Sequence, residues 1–197
     1  MKAVIFDFDG VIHNTFDFHR KKIKDFFGID LSKQDFEKIH ECNFFKNKNG
    51  SIKNIDWTKY PNFIYDEISN LNVQNDIRDV LFKLNERYNL FIVSSGGTKN
   101  INDYLGNNGI ITIFREVLGL EFDKSKVNKF KYLFDKYNLT PDNCLFVTDT
   151  LGDIIEANEV NLKTVAVDFG YHGRETLKKG NPYKIISKMD ELLLILK

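Results

Sequence analysis

The chain has 197 residues, with 28 basic and 28 acidic side chains and therefore a net charge of zero. A chain of this length folds as one core domain with room for a small insertion. The balanced charge leaves no basic patch for nucleic acid, no apolar run reaches the roughly 18 residues of a membrane span, and the two cysteines have neither metal-site nor redox-pair spacing. We therefore expect a cytoplasmic protein that binds neither nucleic acid nor membrane.

The first predicted strand covers residues 2–8 and leads into two aspartates. Asp7 and Asp9 stand at its end, and Gly10 behind them lets the backbone turn sharply. Alternate residues of a strand point to the same face, so the two carboxylates should share a side. Like charges at this range need a cation or a proton between them. Alone, the pattern fits two turn-forming aspartates equally well.

Residues 14–75 do not continue as a strand–helix alternation. Their apolar spacing predicts helices at 16–27, 32–45 and 60–71, with a polar loop at 46–56. The segment lies between the first and second predicted strands.

Short apolar runs then alternate with helical periods to the end of the chain. Strands are predicted at 89–94, 113–118, 143–148 and 163–168, and helices at 76–88, 99–107, 127–137 and 153–160. The strand runs show little polar alternation, which is typical of strands covered on both faces. The sequence therefore predicts an α/β fold with a doubly wound parallel sheet, in which ligands bind at the carboxyl ends of the strands.

Three more polar elements fall on that edge of the predicted sheet. The loop Ser-Ser-Gly-Gly at 94–97 is rich in hydroxyl and backbone N–H groups, which suit phosphate. Lys-Ser-Lys at 124–126 precedes a helix, and Asp149 and Asp153 follow a strand.

The order of these elements, acidic, hydroxyl, basic and acidic, resembles the haloacid dehalogenase superfamily and its phosphoglycolate-phosphatase-like branch. The resemblance covers the whole chain. It implies that residues 14–75 form a small helical cap, inserted into an α/β core made of residues 1–13 and 76–197.

The resemblance also implies a phosphatase in which Asp7 is the nucleophile and Asp9 the general acid and base. A carboxylate 4 Å from a doubly charged phosphate meets about 8 kcal/mol of repulsion at an effective dielectric constant of 20. A cation is therefore required, and Mg²⁺ suits carboxylate and phosphate oxygens. Asp7 and Asp149 would hold it, together with the backbone carbonyl of Asp9.

The remaining roles each leave a choice. Ser94 is expected to hydrogen-bond the phosphoryl group, with Ser95 as the alternative. Lys126 is expected to offset the charge of nucleophile and phosphate, with Lys124 as the alternative. Asp153 would pair with that lysine or order metal-bound water.

The predicted function is hydrolysis of a small phosphorylated metabolite through an aspartyl-phosphate. A phosphomutase of the same architecture and a non-catalytic binding module are the alternatives, and the retention of Asp7 and Asp149 disfavours the second. Aromatic side chains of the cap are interpreted as its core, with one or two facing the substrate: Phe44, Phe45, Trp57 and Phe63. His13 and His172 are interpreted as loop residues outside the site.

Overall fold

The computed structural model describes residues 1–46 and 55–196; most of the predicted loop at 46–56 lies outside them. Six parallel strands form one sheet in the order β3-β2-β1-β4-β5-β6. The strands are Ala3–Phe6 (β1), Asn89–Val93 (β2), Phe114–Leu118 (β3), Cys144–Thr148 (β4), Thr164–Val167 (β5) and Lys184–Ile186 (β6).

The helices, in chain order, are Phe16–Phe27 (α1), Lys33–Ile39 (α2), Tyr60–Ser69 (α3), Asn75–Asn85 (α4), Thr98–Asn107 (α5), Lys126–Tyr137 (α6), Leu151–Asn158 (α7), Arg174–Lys178 (α8) and Leu192–Ile195 (α9). The predicted fold class and the five predicted strands are confirmed, with ends that differ by one or two residues. None of the helices in the described ranges is long and apolar enough to cross a membrane.

Two apolar clusters cover the two faces of the sheet. Val4 and Phe6 of β1 belong to the cluster that contains the buried apolar side chains of α4 and α5, whereas Ala3 and Ile5 belong to the cluster that contains those of α6 together with Ala157 of α7. This is the alternation expected of a strand buried on both sides. Helices α1 to α3 share the first cluster, so the inserted segment packs directly on the core.

The predicted helix over 32–45 is wrong at its carboxyl end, because α2 ends at Ile39. In a longer helix the His40 carbonyl would accept from the N–H of Phe44. It accepts instead from the Gly152 N–H at the start of α7, at 3.0 Å. The chain then passes close to α7, where a Cβ on Gly152 would lie 2.5 Å from the Cys42 oxygen. A long-range contact therefore ends this helix.

The sheet order brings three strand ends together. β1 pairs with β2 on one side and with β4 on the other, so Phe6 lies opposite Ile92 and Val147. The residues that follow these strands, Asp7, the 94–97 loop and Asp149, are therefore neighbours.

Candidate active site

Asp7 and Lys126 form a buried ion pair at the end of β1. The Asp7 N–H donates to the Val147 carbonyl at 2.8 Å, which carries the β1–β4 pairing one residue past the strand. Asp7 Oδ1 accepts from the Phe8 N–H at 2.7 Å, and Oδ2 lies 2.7 Å from Lys126 Nζ. Lys126 is 2% exposed and also lies 2.6 Å from Asp153 Oδ2. One ammonium therefore joins two carboxylates.

Asp153 is held in place from its own helix and from β4. It is in the first turn of α7, where its N–H donates to the side chain of the capping residue Thr150. Its Oδ2 also accepts from the Thr148 hydroxyl at 2.7 Å. Burial would raise the pKa of Asp153, but Lys126 and these hydrogen bonds outweigh it and lower the pKa to about 2. Asp153 is therefore ionised at neutral pH.

Asp149 completes a cluster of three carboxylates with Asp7 and Asp153, whose oxygens lie within 4.8 Å of one another. Its Oδ2 accepts from the Tyr171 N–H at 2.7 Å, while its Oδ1 is buried and makes no hydrogen bond within the described part of the chain. Burial raises the pKa of Asp149 to about 8 and raises that of Asp7 well above its usual range, although Lys126 opposes both shifts. The single ammonium of Lys126 therefore does not balance the charge that the three carboxylates would carry if all were ionised.

Gly10 makes room for this cluster. Its φ is +75°, and a Cβ there would lie 1.7 Å from Asp149 Oδ2. Both the backbone conformation and the contact require glycine.

Asp9 lies outside the three-carboxylate cluster and faces the inserted helices. Its Oδ1 accepts from the Thr15 hydroxyl at 2.6 Å and lies 3.1 Å from His19 Nε2. His19 Nδ1 is in turn 2.9 Å from the Tyr60 hydroxyl on α3. Burial would raise the pKa of Asp9, but His19 and Thr15 outweigh it and lower the pKa. Sequence reasoning missed His19 and Thr15; their i, i+4 spacing at the start of α1 is the only signal that could have found them.

The two serines after β2 differ in placement. Ser94 is fully buried and its hydroxyl accepts from the Gly96 N–H at 2.9 Å, whereas Ser95 lines the cavity beside Asp7 and Asp9. A Cβ on Gly96 would lie 3.3 Å from Asp9 Oδ2, so this loop and Asp9 are in close contact. The placement favours Ser95, the alternative, for contact with a phosphoryl group.

The two lysines before α6 also separate clearly. Lys126 is in the cluster, whereas Lys124 is exposed and its ammonium lies 5.7 Å from the centre of the Phe45 ring. A third lysine was missed: Lys129, one turn further along α6, is fully buried and donates to the Ser94 carbonyl at 2.5 Å. It therefore supports the backbone of the 94–97 loop.

Burial of Lys129 predicts an unusual dependence of stability on pH. Burial, reinforced by Lys126, lowers the pKa of Lys129 from 10.5 to about 8. Below pH 8 the folded protein carries the full cost of a buried ammonium. Between pH 8 and 10.5 the folded chain has lost a proton that the unfolded chain keeps, so stability rises with pH by up to about 3 kcal/mol. The free energy of unfolding of the wild type relative to Lys129→Met should show this rise.

Urea unfolding in chelator at several pH values measures the difference. Lys131→Met is the matched control, because Lys131 is exposed on the same helix and its removal should give no such trend. A difference between wild type and Lys129→Met that stays constant from pH 7 to 10 would contradict this account.

His172 is in the loop after β5, as interpreted from the sequence, but it is buried. Its Nδ1 accepts from the Leu151 N–H at 2.9 Å, so Nε2 carries the proton and donates to the Glu37 carbonyl at 2.8 Å. A neutral imidazole thus joins α2 to the start of α7. His13 contacts the Tyr104 hydroxyl at 3.1 Å.

A cavity of about 120 Å³ connects the carboxylate cluster to the inserted helices. Asp7, Asp9, Ser95, Lys126 and Asp153 line its core side. Asp149 lines it as well, whereas Ser94 is fully buried next to the lining residues Ser95 and Gly96. The structure therefore brings six of the sequence-predicted site residues to one cavity and leaves Ser94 and Lys124 out.

Residues 4–167 match the family model of haloacid dehalogenase-like hydrolases, which is most of the chain. The chain belongs to this family. A phosphoglycolate phosphatase from Haemophilus influenzae is 30% identical over 141 residues, which make up 68% of this chain and 63% of that protein. One from Aliivibrio fischeri is 28% identical over 61% of this chain and 55% of its own length. This family member thus spans less than two thirds of either relative.

Solved structures of other proteins share the fold. A hydrolase from Pseudomonas syringae superposes with a TM-score of 0.80 at 17% identity, covering 100% of this chain and 98% of that one. A haloacid dehalogenase-like protein from Streptococcus pneumoniae gives 0.78 at 19% identity, covering 100% and 99%. At these identities the likeness establishes the fold.

Proposed function

We propose that the protein is a Mg²⁺-dependent phosphatase that hydrolyses a small phosphate monoester through an aspartyl-phosphate on Asp7. The observation that carries this proposal is the buried position of Asp7, which shares Lys126 with Asp153 and lies beside the partly unpaired carboxylate of Asp149. Family membership and the names of the curated relatives support it.

The proposed reaction has two steps. Asp7 Oδ attacks phosphorus and the bond to the ester oxygen breaks. Asp9, which takes up a proton when the doubly charged phosphate binds beside it, gives that proton to the departing alkoxide. Water then attacks the aspartyl-phosphate, Asp9 takes a proton from that water, and Asp7 leaves as a carboxylate. The Ser95 hydroxyl would hold a phosphoryl oxygen, and Lys126 would offset the charge of the phosphoryl group.

The donor atoms suit a hard divalent cation. Three carboxylates have oxygens within 4.8 Å of one another, and one buried oxygen among them accepts no hydrogen bond from the residues that the structure describes. They form the all-oxygen set that Mg²⁺ prefers. We propose that Asp7, Asp149 and the backbone carbonyl of Asp9 hold the ion, and Asp149 would offer Oδ1, which accepts no hydrogen bond from the described residues. The cation would offset the negative charge of the nucleophile and the phosphate.

The first test is metal dependence of phosphate release. Activity on p-nitrophenyl phosphate should fall to background in EDTA and return with Mg²⁺, because the repulsion estimated above is then no longer offset. Ca²⁺ should not restore it, since its longer and looser coordination misplaces the reacting groups. A thermal-unfolding scan in EDTA serves as the control that the protein is still folded. Full activity in chelator would contradict the proposed metal requirement.

We also propose that residues 14–75 act as a cap over the core formed by residues 1–13 and 76–197. The contacts of Asp9 with Thr15 and His19, and of His172 with the Glu37 carbonyl, link the two parts at the cavity. Product analysis separates a phosphatase from a phosphomutase, which would return an isomerised phosphate ester in place of inorganic phosphate.

A further inference from the structure

The cap side of the cavity is an aromatic wall. Its ring side chains at the cavity are Phe36, Phe44, Phe45, Trp57 and Tyr60. The rings of Phe44 and Trp57 are 4.7 Å apart between centroids, those of Phe44 and Phe45 are 5.4 Å apart, and those of Trp57 and Tyr60 are 5.6 Å apart. The wall is therefore continuous, and it faces the carboxylates on the core side.

The charges that reach the cavity are mostly negative. Lys126 is the one lysine or arginine that lines it within the described ranges, and both Asp7 and Asp153 already bind its ammonium. Glu156 also lines the cavity, is 4% exposed, and accepts from the backbone N–H of Lys126. Asp9 adds a further carboxylate. A phosphate group bound at Asp7 would pair with the Lys126 ammonium.

The two histidines of the cavity wall do not supply a cation for a second anion. His40 is stacked on Phe44 and its Nδ1 is 2.7 Å from the Phe36 carbonyl. Burial lowers the pKa of His40 to about 4, so the ring is neutral at pH 7. His19 is engaged on both nitrogens, by Asp9 and Tyr60.

A substrate places its phosphorus at Asp7 and its alcohol part toward the cap. A carboxylate on that alcohol would leave water for an aromatic wall near Glu156 and Asp9, and among the residues at 1–46 and 55–196 that line the cavity it would find no lysine or arginine except Lys126. An aromatic ring would leave water without such a cost, because hydration of apolar surface is unfavourable. It would also pack against Phe44 and Trp57.

On the proposed function, we infer that the alcohol part of the substrate is uncharged and aromatic or bulky apolar, and that a second anionic group is selected against. This differs from phosphoglycolate, the substrate in the name of the curated relatives, whose alcohol part carries a carboxylate.

Three primary alkyl monoesters test the inference in steady-state assays of the full chain with Mg²⁺: benzyl phosphate, 2-hydroxyethyl phosphate and phosphoglycolate. They share the type of bond that breaks and differ in the group that meets the wall. We expect kcat/KM to fall in that order, with benzyl phosphate at least about 100-fold above phosphoglycolate.

Two variants assign the selectivity to the wall. Trp57→Ala should lower the ratio of kcat/KM for benzyl phosphate over 2-hydroxyethyl phosphate by about tenfold or more, because the apolar contact is lost. Phe45→Arg should raise kcat/KM for phosphoglycolate relative to benzyl phosphate by about tenfold, because it adds a cation at the wall. Phe63→Ala is the matched control: Phe63 is a cap aromatic that is 40% exposed and does not line the cavity, so both ratios should be unchanged.

The outcomes separate this inference from the proposed function. Phosphate release that is fastest with phosphoglycolate, or equal for all three esters, overturns the inference and leaves the phosphatase in place. No release from any of the three, or from p-nitrophenyl phosphate, overturns the proposed function itself.

Discussion

Replacing Asp7 by asparagine should lower phosphate release by at least about 1000-fold and leave the protein folded. An amide is a poor nucleophile, and it cannot form the ion pair that Asp7 makes with Lys126 at 2.7 Å. Stability should not fall with activity. Burial raises the pKa of Asp7 well above its usual range, so the folded protein pays a cost for ionised Asp7 at neutral pH that asparagine removes.

Two measurements on the purified variant check this result: phosphate release under saturating substrate, and the midpoint of thermal unfolding in chelator. The midpoint should equal or exceed that of the wild type. Asp142→Asn is the control, because Asp142 is exposed and precedes β4, whereas the cluster lies at the other end of that strand. If Asp7→Asn keeps a tenth of the wild-type rate, the assignment of Asp7 is wrong.

Lys126→Met should damage both activity and stability. The variant leaves Asp7 and Asp153 buried without the ammonium that lies within 2.7 Å of each. Breaking a buried ion pair by removing one partner costs about 3–5 kcal/mol, and we expect a loss of that size at pH 8 in chelator. Phosphate release should fall at least about 100-fold, because the charge opposite the phosphoryl group is lost.

The stability loss should depend on pH in a defined direction. In the wild type the pKa of Asp153 is held near 2, so its ionised form is favoured in the folded state. Without Lys126 the same burial raises that pKa above the unfolded value, and folding then favours a protonated carboxyl. The deficit of Lys126→Met should therefore be smaller near pH 4 than at pH 8. Urea unfolding at both values, with Lys131→Met as control, measures it. A deficit below about 1 kcal/mol at pH 8 would show that the ion pairs of Lys126 do not stabilise the folded protein.

Much of the fold and the location of the cavity follow from the sequence by simple rules. Apolar runs with little polar alternation indicated strands that are covered on both faces. Polar groups at the carboxyl ends of these strands indicated a ligand site at one edge of the sheet. The sheet order places β1 between β2 and β4, so these groups do meet there. The preference for Lys126 over Lys124 agrees with its burial in the cluster.

Features that depend on long-range packing could not be predicted. The i, i+2 spacing of Asp7 and Asp9 suggested carboxylates on one side, but β1 ends at Phe6 and the two side chains have different partners. Asp9 meets His19 only because α1 packs over this edge. Ser94 and Ser95 differ by one residue, and the exact point at which the chain leaves β2 decides which one lines the cavity.

The most direct test of the central claim is chemical trapping of the phosphoenzyme. The Asp9→Asn variant should accumulate it from an activated aryl phosphate, whose leaving group needs no acid, because water then lacks its general base. Acid quenching with radiolabelled substrate should leave about one phosphate per chain, which peptide mapping should locate on Asp7. The double variant that carries both Asp7→Asn and Asp9→Asn should hold no label. Label on another residue, or rapid phosphate release by the wild type with no labelled Asp7 in the quenched variant, would contradict the account.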